Sequence, residues 1–267
     1  MKKLLAILAA AAAMCACNRT PSLVILHVND THSHNEPERS GLNAGHGGVI
    51  ERAAFLDSVR LANGESRVML LHAGDFSQGS SYFTRYDGEL EIDVINAMRY
   101  DCVALGNHEF DNGIEALAGR LERLSCPVVC ANLDLSTFEV GKFISPCTIV
   151  EKGDYKVGVI GLAPDITTCV AKDISSRIPQ LDPVVETNRW AALLKEQGCY
   201  PIILLSHQGY AEDQANAALI RNVDLVIGGH SHTVVDGFIY VRDADGKEIP
   251  IITDGCHGLE MGEIKLY

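Results

Sequence analysis

Positive charge is scarce in this chain. Lysine and arginine total 22 against 35 aspartates and glutamates, for a formal net charge of −13. Such a balance repels polyanions and disfavours a nucleic-acid polymer as partner, while a small anion can still bind where positive charge is concentrated locally. The C-x-x-C pairs of thiolate zinc sites are missing altogether. Past the N-terminal region the cysteines are Cys102, Cys126, Cys130, Cys147, Cys169, Cys199 and Cys256, an odd set that cannot pair completely within one chain. Cys126 and Cys130 flank a Pro-Val-Val run that reads as strand, and at roughly 3.3 Å per residue their Cα atoms lie too far apart to bridge. Mostly buried free thiols are expected. Internal repeats and low-complexity linkers are also lacking, as is any later apolar run long enough to cross a bilayer. What remains is one domain of about 250 residues, enough for a sizeable core.

The N-terminus stands apart from that domain. "MKKLLAILAAAAAMCACNRT" carries Lys2 and Lys3, then about a dozen apolar residues, then small residues and cysteine. This is a secretory signal, too short to span a membrane. Its end at Ala16-Cys17 resembles a bacterial lipoprotein signal, which implies a signal over residues 1–17 with lipid on Cys17. Cys15 is the weaker candidate because Met14 is bulkier than Ala16, and cleavage without a lipid is the alternative. The expected location is the bacterial cell envelope, either free in the periplasm or held to a membrane by the lipid anchor alone.

Apolar runs and helical patterns alternate along the rest. "LVILHV", "VMLLHA", "CVALG", "VVCANL", "KVGVIGLA", "IILLSH" and "LVIGG" are short, apolar and bounded by turn or polar residues, and read as buried strands. "GGVIERAAFLDSVRLANG", "IEALAGRLERL" and "ETNRWAALLKEQG" are amphipathic, the first and last closing on glycine. "GFIYVRDADGKEIPIIT" reads as a hairpin turning at Asp245-Gly246. The expectation is an α/β domain with some antiparallel pairing near its end.

Polar residues gather where strands stop. Asp30 and His32 follow the first strand, Asp75 the second, Asn107 and His108 the third; His207 ends another, and His230 and His232 follow "LVIGG". Ligands bind outside the carboxyl ends of strands in open α/β sheets. Asp-x-His and His-x-His in extended backbone would put both side chains on one side. Histidine, aspartate and asparagine together suit divalent Zn, Mn or Fe rather than a thiolate site. Alone, "GNHEFDNG" also reads as a polar loop with Asp111 as N-cap of a helix starting near Ile114. His27 and His72 lie inside strand runs and read as core or supporting partners, His34 and His257 as exposed loop residues with support of the site as the alternative, and Trp190 as helix packing.

"ILHVNDTHSH", "HAGDFSQGS", "GNHEFDNG", "LLSHQGY" and "VIGGHSHT", in this order, resemble the calcineurin-like metallophosphoesterases, in particular their 5′-nucleotidase branch. The resemblance runs over residues 22–267. It implies a four-layer α/β/β/α sandwich and two divalent metal ions, with Mn, Zn, Fe or Co as candidates. Asp30, His32 and His232 would hold one ion, Asn107, His207 and His230 the other, and Asp75 would bridge. His108 and Asp111 match the family's catalytic dyad, with Glu109 structural. The implied reaction is attack of a metal-bridged hydroxide on a small phosphoester, such as a 5′-nucleotide. A thiosulfohydrolase-type hydrolase on the same site is an alternative, and a metal-binding subunit without activity is another. The family usually continues into a C-terminal nucleotide-binding domain, which is absent from this sequence; a separate chain supplying it is expected.

Overall fold

The computed structural model describes residues 20–267, so the signal segment, Cys15 and Cys17 lie outside the described residues. Its strands are β1 (Leu23–Val28), β2 (Val68–His72), β3 (Cys102–Ala104), β4 (Val128–Val129), β5 (Ile144–Ser145), β6 (Cys147–Lys152), β7 (Tyr155–Leu162), β8 (Ile202–Ser206), β9 (Leu225–Ile227), β10 (Ile239–Arg242), β11 (Glu248–Ile252) and β12 (Gly262–Leu266). They form two six-stranded sheets, ordered β12-β1-β2-β3-β4-β5 and β10-β11-β9-β8-β7-β6. The inner pairings are parallel, as in β1 against β2 with Val24 opposite Val68. Antiparallel strands close the sheets: β12 on β1, β10 on β11 and β6 on β7.

Strand alternation explains why two sheets stack. Leu23 and Ile25 point one way and meet Val157, Val159, Ile203 and Leu205 of the other sheet in a core between the sheets. Val24, Leu26 and Val28 point the opposite way, onto a helical layer that supplies Leu56, Ile92 and Leu117. Those residues belong to α1 (Val49–Asn63), α2 (Glu89–Met98) and α3 (Ile114–Leu121). On the far side Ile160, Leu162 and Leu204 pack with Ala191, Leu194 and Ala217, carried by α4 (Pro183–Glu196) and α5 (Tyr210–Ala217). Three cores between four layers make the expected α/β/β/α sandwich. Because both faces of each sheet are covered, its central strands read as continuous apolar runs.

Local signals set several boundaries. Asp182 accepts from the backbone N–H of Val184 at 2.9 Å and of Val185 at 3.0 Å, and Pro183 follows it, so α4 begins there. Asp111 does not cap α3. That position falls to Gly113, with φ 91° and no side-chain cap, because the Asp111 carboxylate is engaged by His108. The seven cysteines among the described residues are all free, but only Cys102, Cys130 and Cys199 of them are buried; the other four are half-buried. Cys147 illustrates the reason, since it lies on β6, an edge strand of its sheet. Among the described residues, no helix is long and apolar enough to cross a membrane.

Candidate metal centre

Five strand ends meet at one side of the sandwich, and they come from both sheets. Asp30 and His32 follow β1, Asp75 follows β2, and Asn107 and His108 follow β3. His207 follows β8, and His230 and His232 follow β9. The backbone there is not extended, contrary to the expectation for Asp30–His32 and His230–His232. Asp30 (φ 48°), His32 (46°), Asp75 (55°), His230 (72°) and His232 (54°) all adopt the left-handed conformation. That region is uncommon for residues with a Cβ and costs on the order of 1–3 kcal/mol each, so neighbouring contacts must enforce it. They do: the N–H of Asp30 donates to Gly74 O at 3.0 Å, that of His32 to Asp75 O at 3.0 Å, and that of His257 to Asp30 O at 2.6 Å.

The ring nitrogens and carboxylates converge. His32 Nε2 lies 3.0 Å from His232 Nε2 and 3.7 Å from Asp30 Oδ1, which is itself 3.3 Å from His232 Nε2. Asp75 Oδ2 lies 3.0 Å from His207 Nε2 and 3.9 Å from His32 Nε2. Donor atoms of Asp75, His207 and His230 gather in a second group. Asp75 therefore faces both sets. Donors about 2.1 Å from one tetrahedral ion sit roughly 3.4 Å from each other, and these separations bracket that value.

Supporting residues explain the aim of each donor. The Asn29 amide donates to Asp30 Oδ2 at 2.6 Å and to Gly255 O at 2.6 Å, while the His230 N–H donates to the same carboxylate oxygen at 2.9 Å. The His108 N–H donates to Asp75 Oδ1 at 2.8 Å. His207 Nδ1 lies 2.6 Å from Ala73 O and so carries the proton, which leaves the Nε2 lone pair for the centre. Glu109, fully buried, accepts from the backbone N–H groups of Asp75, Ser77 and Gly106 at 3.0, 3.1 and 2.7 Å. It is a strut between the β2 and β3 loops, as expected. Its burial, with Asp75 alongside, pushes the carboxyl up to about 7. Asn29 was not anticipated; as a polar residue directly before Asp30 it could have been weighed.

Two observations fit the centre to divalent cations. Asn107 Oδ1 is buried with no hydrogen-bond partner, an omission that costs about 1–3 kcal/mol in an acceptor left bare. His207 Nε2, though near Asp75, makes no aligned hydrogen bond either. Burial works against a charged His207, yet Asp75 and Asp30 outweigh it and drive the imidazole up to about 10. The two buried carboxylates demand a cation at that spot, whether proton or metal.

His108 stands at the edge of this group, its ring centroid 5.2 Å from that of His32. Its Nδ1 lies 2.8 Å from Asp111 Oδ2, and that hydrogen bond raises the imidazole above its ordinary range. The cavity in front measures about 490 Å³ and is lined by six imidazoles, with no lysine or arginine among the described residues that line it. Two of the six are His34 and His257, which are half-buried rather than exposed because their rings stack at 3.7 Å. His27 and His72 are buried supports, as expected: His27 Nδ1 lies 2.8 Å from Asp254 Oδ2, and His72 Nε2 lies 2.9 Å from Thr31 Oγ1. Trp190 packs against the outer core and donates to Glu186 at 3.0 Å.

The sequence profile of the calcineurin-like phosphoesterase family matches residues 23–234. A snake venom 5′-nucleotidase from Naja atra is 34% identical over 270 residues, covering 91% of this chain and 50% of its own. The crystal structure of a 5′-nucleotidase precursor from Thermus thermophilus superposes with a TM-score of 0.84 at 32% identity, covering 91% of this chain and 51% of its own. A sulfate thiohydrolase from the same organism superposes with a TM-score of 0.80 at 17% identity, covering 94% of this chain and 55% of its own, a likeness of fold alone. The chain thus spans about half the length of the relatives it matches.

Proposed function

This chain belongs to the calcineurin-like phosphoesterases, and from that premise we propose that it hydrolyses small phosphoesters, 5′-nucleotides among them, at a dinuclear metal centre. The observation that carries this reading is Asp75, one carboxylate facing two groups of donors. Asp30, His32 and His232 hold one ion; Asn107, His207 and His230 hold the other. When bound, divalent ions supply the positive charge and Lewis acidity that polarise a phosphoryl group and acidify water.

The chain's own groups do the rest. Asp30 and Asp75, oriented by Asn29 and by backbone N–H groups, fix where that charge sits. His108, its imidazole raised above the ordinary range by the hydrogen bond with Asp111, donates a proton to the departing ester oxygen. Asp111 keeps the imidazole turned toward the cavity and supports its charge. Export and a lipid on Cys17 belong to the same proposal, supported by the signal-like N-terminus.

Phosphate release from nucleotides, sugar phosphates and aryl phosphates, with Mn, Zn or Co added to stripped protein, tests the activity. Elemental analysis of metal-replete protein tests the centre. Two ions per chain at these donors are expected, with Asp75→Ala impairing both positions and His32→Ala mainly one. Phosphate release that needs no metal would overturn the reading.

A further inference from the structure

A separate set of metal-type donors lies beside the groups around Asp30 and Asp75. His34 Nδ1 is 3.3 Å, and His257 Nδ1 3.7 Å, from Oε1 of Glu38. The two imidazoles stack face to face, with centroids 3.7 Å apart and planes only 4° apart, so both turn a ring nitrogen to the same carboxylate edge. One donor atom from each of the three residues falls within 4.8 Å of the others. All three side chains are about a quarter to a third exposed, a cavity wall rather than open surface.

We propose that His34, Glu38 and His257 form a further divalent-cation site, of zinc type, on the rim of the catalytic cavity. Two imidazoles and one carboxylate are a donor set that zinc accepts with a fourth position left open. The 3.3 and 3.7 Å separations bracket the roughly 3.4 Å between donors around one tetrahedral ion. Stacked rings set their nitrogens side by side rather than convergent, so one half-exposed imidazole must turn out of the stack for both lone pairs to meet one ion.

The backbone holds the three residues in place for this. The His34 N–H donates to Thr31 O at 2.9 Å and the His257 N–H to Asp30 O at 2.6 Å, so both rings hang from the Asp30 segment. Glu38 is fixed by its N–H to His46 O at 2.9 Å and by Gly45 N–H to its carbonyl at 2.8 Å. His257 has a left-handed φ of 61°, the conformation shared by Asp30, His32, Asp75, His230 and His232. Its ring lies 6.0 Å from that of His32 and 6.2 Å from that of His232. A cation there adds positive charge to a cavity whose described lining has no lysine or arginine. The rim site's catalytic setting rests on the proposed function, but its ligation does not.

Zinc alone is the probe. The full chain, stripped by chelator, is equilibrated with Zn²⁺, freed of excess and analysed for zinc per chain, in parallel with His257→Ala and Glu38→Gln. A cooperative thermal melt confirms that each variant is folded, and Glu38→Gln, which keeps the shape of the side chain, carries the comparison if His257→Ala does not fold. Each variant is expected to hold one zinc fewer than wild type. Equal zinc in wild type and variants overturns the rim site. The totals separate this from the catalytic centre: three falling to two supports both, two in every protein leaves only the dinuclear centre, and one falling to none leaves only the rim site.

Discussion

His108 touches Asp111 through Nδ1 and leaves its other nitrogen free for the cavity, a geometry that serves a metal ligand as well as a proton donor; the proposed function assigns it the second role. His108→Ala is therefore expected to retain the bound metal and lose activity, by roughly 10²–10⁴-fold on a nucleoside monophosphate. Nitrophenyl phosphate, whose leaving group is stable as an anion, should suffer much less. Steady-state rates on both esters at saturating metal check this, and an equal loss on the two would show that His108 stabilises charge instead of protonating. Glu109, three backbone N–H groups deep in the loop junction, behaves differently. Glu109→Ala strips those donors of their acceptor in a fully buried place, and each unsatisfied group costs about 1–3 kcal/mol. A fall in the urea midpoint, alongside weakened metal binding through the displaced Asp75 loop, is the expected result.

At the scale of elements, α5 carries a buried carboxyl that ties it to β8: Ser206 Oγ donates to Asp213 Oδ1 at 2.5 Å. Burial pushes Asp213 up to about 7 from an ordinary 3.8. The folded state thus keeps a proton that the unfolded state gives up. Its contribution to stability is fully present below 3.8 and is lost as pH rises through about 7. Asp213→Asn cannot ionise, so the variant should gain on wild type between pH 5 and pH 7, by about 2–3 kcal/mol, and little further above that. Urea midpoints measured at the two pH values decide it; a pH-independent difference would show that Asp213 is charged in the fold. The sequence reading does not pick out α5, nor α2. Polar "YAEDQANA" conceals its one apolar contact, Ala217, and the apolar stripe of "ELEIDVINAM" begins on a buried glutamate, Glu91. The parallel strands were legible because burial on both faces makes them continuous apolar runs. The site residues were legible because they follow those runs directly. What the sequence concealed was conformation: nothing in Asp-Thr-His announces left-handed backbone, which cross-loop hydrogen bonds impose from 40 or more residues away. The His34–His257 stack was hidden for the same reason, since its partners meet only when the loops after β1 and β11 come together.

Across the whole molecule, the two sheets are joined by an apolar core, and at one end by donors drawn from both. Asp30, His32, Asp75 and Asn107 come from the first sheet, His207, His230 and His232 from the second. Cations bound between them act as a clamp across the sandwich, because a ligand held only by the folded state stabilises it. At a free concentration 100 times the dissociation constant, each site adds about 2.7 kcal/mol. For a domain near this size each kcal/mol moves Tm by about 2–4 °C, so chelation should lower Tm by roughly 5–10 °C for every site emptied. The inter-sheet core supplies the comparison. Ile25→Ala, at a fully buried position on β1, should cost about 2–5 kcal/mol whether or not metal is present. Asp75→Asn should do the reverse, removing most of the chelator-sensitive part of Tm while changing the chelated protein little, because Asp75 faces both donor groups. Melts of wild type and the two variants, each with and without chelator, separate these terms. A chelator shift that survived intact in Asp75→Asn would mean that the stabilising ions are bound elsewhere, and the dinuclear centre would lose its main support.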